Sequence, residues 1–343
     1  MKRKITTNRT THSIFSDVDF EPKSPTDKDP SINLAEFVEI NGIEQFLYHA
    51  GDKTENQVIL HLHGGPGNAF SNKAYLLKEW NSSFTMVYWD QRGAGKTALK
   101  NPDAVPTFAN MLEDIHEIIL YLKRKYHKQK IGLFAHSWGT IIGSIFANQH
   151  PDDVEFYIGV GQVIAPVQNE IVGYQETLRR LKENGDTEGL KQLEVLGDYP
   201  GDKPEEMLTK MSVVREWQGK LGMTKFDPQE HLDQIKQSPL FHPDDLKAQN
   251  VSAKLLTGLF IEMFHYSLYD YPLTYEVPVY YILGKDDWQV PSILGIEYLK
   301  QITAPEKQLL LIKDSMHSPM LEKPTEFLHA LRKIIGDGSL ASF

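Results

Sequence analysis

A serine between small residues, at the end of an apolar run, is the first feature of this chain that could do chemistry. Residues 131–135 predict a buried strand, Ser137 follows at a sharp turn, and residues 141–147 have the pattern of a helix. A turn between strand and helix presents the hydroxyl but strains the serine backbone, so its neighbours must be small. Gly139 meets this need, and Ala135 stands where a first glycine is usual. The pattern predicts a nucleophilic serine.

Such a serine needs a base that removes its proton and an acid that orients the base. Residues 277–283 predict a strand that is followed by Asp286 and Asp287. Residues 307–312 predict another strand, which is followed by His317. Asp287 fits the pattern G-x-x-D-x-x-x-P and is favoured over Asp286, although either could be a solvated turn residue. Because serine, acid and histidine occur in this order at strand ends, we expect a catalytic triad.

A glycine-rich loop follows the predicted strand at residues 57–62. It reads HGGPG over residues 63–67. Acyl transfer builds negative charge on the carbonyl oxygen, and a preorganised N–H donor there contributes about 3–4 kcal/mol. We expect the amide of Trp138 as one donor and that of Gly65 as the second, with Gly64 as the alternative. The glycine–proline bond of this loop is a candidate for the cis form.

Three histidines near these segments have weaker claims to function. His136 is adjacent to the serine, but we expect it to point away and to pack beside the turn. His61 and His63 form an H-x-H pair on one face of a predicted strand. No carboxylate or cysteine close by in the sequence completes a metal site. We therefore expect no metal and no other cofactor.

Three motifs together resemble one known family. They occupy residues 63–67 (HGGPG), 90–93 (DQRG, after a predicted strand) and 136–139 (HSWG). They look like the motifs of the prolyl aminopeptidase (proline iminopeptidase) family of α/β-hydrolases, over roughly residues 35–160 and 272–337. The resemblance implies release of N-terminal residues, often proline, from short peptides. It also admits relatives with the same loops that cleave other amides, esters or lactones.

Residues 93–97 (GAGKT) imitate the end of a phosphate-binding loop. The full pattern needs a glycine where this chain has Asp90, and a carboxylate there would repel phosphates. Nucleotide binding is therefore disfavoured. We expect Asp90 and Arg92 to brace the loops around the site.

Strands that alternate with helices predict an α/β fold with a doubly wound, mostly parallel sheet. With the family resemblance, this implies an α/β-hydrolase core over residues 34–162 and 272–343. Residues 163–271 lack strands and predict an inserted helical cap; an independent domain is less favoured, because the chain leaves and re-enters one sheet. Residues 1–33 predict a polar N-terminal arm. The helices predicted in the cap are 166–184, 187–196, 203–220, 228–237 and 257–269.

In the resembled family, acidic cap residues hold the ammonium group of the substrate. Glu262 is the lone acid in an apolar, aromatic run and could bind it; equally, it could face solvent or pair with His265. A second family acid follows a tryptophan, but here Trp217 is followed by Gln218, and an amide would weaken amine recognition. Other acids of the cap that sequence cannot rank are Glu170, Glu176 and Glu216.

Composition narrows the classes of partner. The net charge of −10 disfavours nucleic acid and anionic membranes and favours a substrate with a positive end. The chain has no cysteine, so disulfides and thiol chemistry do not apply. No apolar run has the length of a secretory signal or of a transmembrane helix, and we expect a cytoplasmic protein.

These observations predict a serine hydrolase that forms an acyl-enzyme. An aminopeptidase acting on short peptides is the leading expectation. The alternative is an esterase, lactonase or amidase that acts on a small substrate without recognising a free amine. A non-catalytic binding protein on the same fold is more remote, because such proteins typically lose a triad member.

Overall fold

The computed structural model describes residues 31–201, 203–225 and 227–336. The predicted polar arm, residues 1–33, lies outside the described residues except for its last three positions, where the first strand begins at Ile32. The strands are β1 (Ile32–Ile40), β2 (Ile43–Gly51), β3 (Gln57–Leu62), β4 (Phe84–Asp90), β5 (Ile131–His136), β6 (Val154–Val160), β7 (Val279–Gly284) and β8 (Lys307–Ile312).

These strands form one sheet in the order β1-β2-β4-β3-β5-β6-β7-β8. Strand β2 pairs antiparallel with β1 and β4, and the other neighbours pair in parallel. The doubly wound, mostly parallel sheet predicted from the sequence is therefore confirmed. The chain runs outward from β3 to β4 and then crosses back to β5. Such a reversal opens a crevice at the carboxyl ends of the strands, between β3 and β5.

Helices cover both faces of the sheet. They are α1 (Gly95–Lys100), α2 (Phe108–Tyr126), α3 (Trp138–Gln149), α9 (Ser292–Gln301), α10 (Pro319–Glu322) and α11 (Pro324–Ile335), with a 3-10 helix at Ser71–Ser82. Side chains alternate along β5, so Leu133 belongs to the core cluster shared with α2 and α3, and Phe134 to the cluster shared with α11. On the face of the sheet that α11 covers, Trp80 stacks on Phe327, with ring centroids 5.6 Å apart. The ring of Phe134 lies edge-on to both.

Five helices lie between β6 and β7 in the chain. They are α4 (Pro166–Glu183), α5 (Thr187–Glu194), α6 (Pro204–Lys220), α7 (Pro228–Lys236) and α8 (Asp245–Met263). The first four agree with the predicted helices within a residue or two. None of the helices in the described ranges is long and apolar enough to cross a membrane.

The fifth predicted helix, residues 257–269, has the wrong bounds. The observed α8 starts at Asp245 and ends at Met263. Its first half buries polar side chains, including Asp245 and Ser252, so hydrophobic periodicity does not reveal it. Beyond it, Phe264 and Tyr266 are buried in turns, whereas Tyr269 is exposed in a short 3-10 segment at Leu268–Asp270.

The aromatic stack under the sheet offers a test of the core. Phe327 is fully buried on α11, and Phe327→Ala should lower the free energy of unfolding by about 3–5 kcal/mol, because it leaves a cavity against Trp80. Denaturant titration measures this change. His329→Ala, at an exposed position of the same helix, should change it by less than about 0.5 kcal/mol. Equal effects of the two substitutions would contradict this packing.

Candidate active site

Ser137 lies in the sharp turn between β5 and α3. Its φ is 53° and its ψ is −121°, a strained conformation for a residue with a side chain. The turn is held by its own backbone, since Ser137 N donates to Val160 O at 2.9 Å. A Cβ at Gly139 would lie 2.1 Å from the carbonyl oxygen of Leu62, so no larger residue fits there. The sequence requirement for a small residue thus has its cause in the close approach of α3 to β3.

His317 and Asp287 form a hydrogen-bonded pair. His317 Nδ1 lies 2.8 Å from Asp287 Oδ2. The other oxygen of this carboxylate accepts from the amides of Gln289 and Val290, at 3.0 and 2.9 Å. Asp286, the competing acid, is partly exposed, and Asp287 is 2% exposed. The structure therefore brings Asp287, the favoured candidate, to the histidine.

The second nitrogen of His317 is open to a partner. His317 Nε2 is buried and has no hydrogen-bond partner among the residues that the structure describes. A Cβ at Gly161 would lie 2.8 Å from Cε1 of this ring, so the end of β6 packs against it. The backbone amide of Ser137 is bonded to Val160, the preceding residue. The Ser137 turn and the His317 ring are therefore both next to the end of β6.

Glu322 holds the loop that carries His317, a role that sequence reasoning missed. Its carboxylate accepts from the amides of Met316 and Ser318, at 2.5 and 2.9 Å, and from the hydroxyl of Ser315 at 3.0 Å. The sequence offers only the position of this acid at the end of the short helix α10. Three donors on one carboxylate fix the loop on both sides of the histidine.

His136 packs beside the turn as expected, and it also contacts the proposed base. Its Nε2 lies 2.9 Å from His317 O, and because a carbonyl only accepts, this nitrogen carries the proton. The two rings have centroids 4.9 Å apart. Burial, with the nearby His317, lowers the pKa of His136 to about 3. A neutral His136 therefore links the serine turn to the histidine loop.

The glycine-rich loop after β3 lies against the serine. The bond between Gly65 and Pro66 is cis, as expected, and Gly65 has a φ of 123°. A Cβ at Gly64 would lie 3.1 Å from the Cβ of Ser137 and 3.1 Å from Nδ1 of His136. A side chain at Gly64 would therefore crowd the turn that carries Ser137.

A buried histidine and a glutamine connect this loop to the turn that carries Ser137. His63 Nδ1 donates to Gly64 O at 2.8 Å, and His63 Nε2 accepts from Gln91 N at 3.1 Å. The side chain of Gln91 donates to His63 O and accepts from Trp138 Nε1, both at 3.0 Å. Burial lowers the pKa of His63 to about 4, which keeps the ring neutral with one donor and one acceptor. Gln91 was missed as a contact residue, although it lies within the DQRG motif.

The flanking residues of that motif, Asp90 and Arg92, contact the helices α1 and α2. Arg92 forms a buried ion pair with Asp114 of α2, with N–O distances of 2.8 and 2.9 Å. Asp90 Oδ2 accepts from the amide of Lys96 at 2.9 Å, which fixes the start of α1. The side chain of Lys96 pairs with Asp245 at 2.6 Å, so it is not available for a phosphate. Asp90 and Arg92 brace their own loop. Gln91, which lies between them in the sequence, connects that loop to Trp138, the residue after Ser137.

The cap residues named from the sequence lie apart from one another. Glu262 is exposed, and its carboxylate accepts from the amide of Phe108 at 3.4 Å. The ring of Phe108 packs edge-on to Trp138 at 6.2 Å. Gln218 is fully buried, its oxygen accepts from Arg215 at 2.7 Å, and its nitrogen has no partner among the described residues.

The other acids of the cap are neutralised by basic partners. Glu170 is buried and accepts from Arg215 and from the hydroxyl of Tyr199. Glu176 pairs with Arg179 and Arg180, and Glu216 pairs with Lys220. Among these acids, none presents a free buried carboxylate to a substrate amine.

The histidines of β3 and its loop do not form a metal site. His61 is 1% exposed and lies among the rings of Phe70, Tyr88 and Phe134, with ring centroids 4.8–5.4 Å away. Within the described ranges, the ligand atoms that could meet at one metal ion belong to His116, His150 and Asp153. This group lies at the amino end of β6, on the opposite edge of the sheet from Ser137, and Asp153 already pairs with Lys123 at 2.7 Å.

A strand-end serine beside a carboxylate–histidine pair agrees with what comparison with known proteins finds. The model of the serine aminopeptidase S33 family matches residues 54–324. The chain belongs to this family. It is therefore a serine hydrolase with the α/β-hydrolase fold, and the resemblance to prolyl aminopeptidases is confirmed.

Relatives named aminopeptidases match most of the chain. It is 28% identical over 318 residues to the probable aminopeptidase YbaC of Bacillus subtilis, covering 88% of this chain and 96% of that one. It is 22% identical over 318 residues to the proline iminopeptidase of Saccharolobus solfataricus, covering 90% and 95%.

Solved structures share the fold with several activities. The proline iminopeptidase of Mycobacterium smegmatis superposes with a TM-score of 0.61 at 17% identity, over 88% of this chain and 97% of that one. A thermophilic esterase from Thermogutta terrifontis superposes with a TM-score of 0.54 at 21% identity, over 88% and 97%. These likenesses establish the fold and leave the substrate to the site itself.

The carboxylate of Glu322 should matter for rate more than for binding. In Glu322→Gln an N–H₂ group replaces one acceptor oxygen and opposes the amide of Met316 or Ser318, so the His317 loop shifts. A displacement on the ångström scale costs about 100-fold in rate, so we expect kcat on a small ester to fall by about 10- to 100-fold with KM little changed.

Steady-state kinetics of Glu322→Gln beside Glu326→Gln, an exposed acid of α11, measures this effect. The control should keep the wild-type kcat. A normal kcat in Glu322→Gln would show that the loop holds its position without this carboxylate.

Proposed function

We propose that this serine hydrolase is an aminopeptidase that releases the N-terminal residue, with proline as the leading candidate, from short peptides. Ser137 is the nucleophile, His317 the general base and Asp287 the acid that orients it. The observation that carries this proposal is the 2.8 Å bond between Asp287 and His317 Nδ1, which leaves Nε2 open beside the serine turn. A histidine in this tautomer has its lone pair on Nε2, where a serine proton can be taken.

The reaction follows from this proton arrangement. Ser137 Oγ attacks the carbonyl carbon while its proton passes to His317 Nε2, and Asp287 stabilises the imidazolium that forms. His317 then gives this proton to the leaving amine, and the acyl group remains on Ser137. A water molecule, deprotonated by the same nitrogen, hydrolyses the acyl-enzyme.

Two backbone amides are proposed to bind the oxyanion. The amide of Trp138 follows the nucleophile at the start of α3, and the amide of Gly65 lies in the loop that faces it, with Gly64 as the alternative. The links from Gln91 to His63 O and to the indole of Trp138 support this assignment, because they join the start of the glycine loop to the residue that carries the other donor. Donors that are rigid before the reaction need no reorganisation as charge develops.

We further propose that residues 163–271 act as the cap over this site. A Cβ at Gly67 would lie 2.5 Å from Leu256 Cδ1, so α8 packs directly on the loop of the proposed oxyanion hole. A Cβ at Gly173 of α4 would lie 2.9 Å from the carbonyl oxygen of Trp288, next to the proposed acid. Helices that contact both catalytic loops bound the space available to a substrate.

Glu262 is our candidate for the group that binds the substrate amine. Its contact with the amide of Phe108, whose ring packs on Trp138, supports a position on the nucleophile side of the cap. A carboxylate at an exposed position binds an ammonium group less strongly than a buried one. Gln218, the amide at the second family position, is proposed to shape the pocket through Arg215 and not to bind a charge.

One observation favours a second candidate function. Arg215 neutralises Glu170 and also occupies Gln218, so the buried part of the cap holds no uncompensated acid among these residues. An esterase, lactonase or amidase that acts on a small substrate without a free amine would need none. Its rate would be unchanged when the substrate amine is blocked.

Hydrolysis of proline coumarylamide, beside its N-acetylated form, separates the two candidates. An aminopeptidase should turn over the free amine at least about 100-fold faster, since a charged hydrogen bond to the ammonium contributes roughly 1.5–3 kcal/mol and the acetyl group also blocks its site. Measurement of kcat/KM for both compounds gives the ratio. A ratio near one would replace the aminopeptidase with an amine-independent hydrolase.

Ser137→Ala should abolish turnover of whichever substrate is found. Loss of the nucleophile in a serine triad costs about 10⁶-fold in kcat, while the fold should persist because alanine needs no more space. The checks are kcat, the thermal midpoint and the mass shift on labelling with a fluorophosphonate. Wild-type turnover in a pure Ser137→Ala preparation, or a label on another residue, would refute this mechanism.

A further inference from the structure

A cavity of about 1100 Å³ lies outside the proposed triad. Its core side includes Pro66 and Gly67, which directly follow the proposed oxyanion donor. The last residue of β4 and residues of the segments that follow β3 and β4 complete this side. Its cap side is formed by α7 and α8. Neither Ser137 nor His317 lines it. It is therefore adjacent to the catalytic loop without containing the reacting groups.

Four polar atoms that line this cavity lack partners. They are Asp90 Oδ1, Ser71 Oγ, Asn72 Oδ1 and Ser252 Oγ, and none has a hydrogen-bond partner within 3.5 Å among the residues that the structure describes. The Ser71 hydroxyl is still near enough to Asp90 to lower the pKa of its carboxyl. Asp90 is 1% exposed, Ser71 2% and Ser252 5%. Buried polar atoms in folded proteins are nearly always bonded. Four exceptions around one cavity, three on its core side and Ser252 on α8, point to a polar ligand group.

The nitrogen donors of Lys96 and Asn72, near these acceptor atoms, already have hydrogen-bond partners. Lys96 Nζ binds both oxygens of Asp245, at 2.7 and 2.6 Å, and Asn72 Nδ2 donates to the same carboxylate at 3.0 Å. Lys96 pairs with Asp245 and acts on Asp90 only at longer range, so no cation of the described residues forms an ion pair with the Asp90 carboxylate. Burial raises the pKa of Asp90 to about 6, so this carboxylate is anionic at pH 8. The cavity offers one anion and further acceptors.

The helices α7 and α8 give the cavity an apolar strip of lining, beside polar side chains that include Gln229, His231 and Gln249. Leu232 and Ile235 of α7 and Leu256 and Phe260 of α8 form this strip. An occupant that matches both the acceptors and the apolar strip carries a positively charged donor at one end and an alkyl body at the other.

We propose that this cavity binds an apolar primary amine, with its ammonium group at Asp90 Oδ1 and its alkyl body between α7 and α8. Ser71, Asn72 and Ser252 provide acceptors for the remaining N–H groups. The inference goes beyond the proposed function, because binding here requires no hydrolysis. Two kinds of ligand have an ammonium group on an alkyl body: a substrate with a lysine-like side chain, and a free alkylamine.

Isothermal titration of the full chain at pH 8 tests the site with three probes of one shape. Hexylamine should bind at least about 10-fold more tightly than hexan-1-ol, because only its ammonium pairs with the carboxylate, and hexanoate should bind most weakly. An alcohol that binds as tightly as the amine would overturn the proposal.

Variants assign the preference to this cavity. Asp90→Asn should reduce the affinity for hexylamine at least about 10-fold, to that for the alcohol, while Glu230→Gln, an exposed acid of α7 outside the lining, should leave it unchanged. Because Asp90 Oδ2 also holds the amide of Lys96, a second variant guards against misfolding. Leu232→Trp should fill the cavity and abolish binding of both amine and alcohol. Undiminished hexylamine binding by a folded Asp90→Asn or Leu232→Trp protein would refute the site.

Inhibition of ester hydrolysis separates the two sources of the amine. If hexylamine inhibits competitively, the cavity binds an ammonium group that belongs to the substrate. Saturable binding without inhibition assigns it to a separate ligand, and both results support the site. The titrations do not depend on turnover, so failure of the proposed peptidase activity would leave them interpretable.

Discussion

The positive φ of Ser137 is the constraint on which the surrounding structure depends. A residue with a side chain adopts this conformation only where its neighbours hold it there. The close approach of Gly139 to Leu62, where no Cβ fits, and of Gly64 to Ser137, where a Cβ would be crowded, supplies this restraint. The loop after β3 is therefore fitted to the turn after β5, and the glycines of both segments are consequences of one strained serine.

Two neutral buried histidines, His63 and His136, connect the segments around the serine turn. Burial lowers the pKa of His63 and of His136 far enough that both rings remain uncharged at neutral pH. An uncharged ring has one donor and one acceptor, so each can join two backbone segments without placing a charge near the proposed base. His63 fixes the glycine loop to Gln91, and His136 fixes the serine turn to the His317 loop.

The sequence predicts those parts of the molecule whose chemistry is local. The strand ends that carry Ser137, Asp287 and His317 follow from short apolar runs and small turn residues, and the structure brings the last two into contact. The start of α8 could not be predicted, because its buried face is held by the ion pair between Lys96 and Asp245 and not by apolar periodicity. Glu322 and Gln91 were missed for a related reason, since their bonds to loops appear only once the chain has folded.

The proposed active site is divided between two parts of the sheet. The nucleophile and the oxyanion loop follow β5 and β3, whereas the acid and the base follow β7 and β8. Strand β6 joins these parts, yet it pairs with β7 at three positions, compared with six between β7 and β8. The bond from His136 to the carbonyl of His317 crosses this junction directly. This bond therefore links the two halves of the proposed active site.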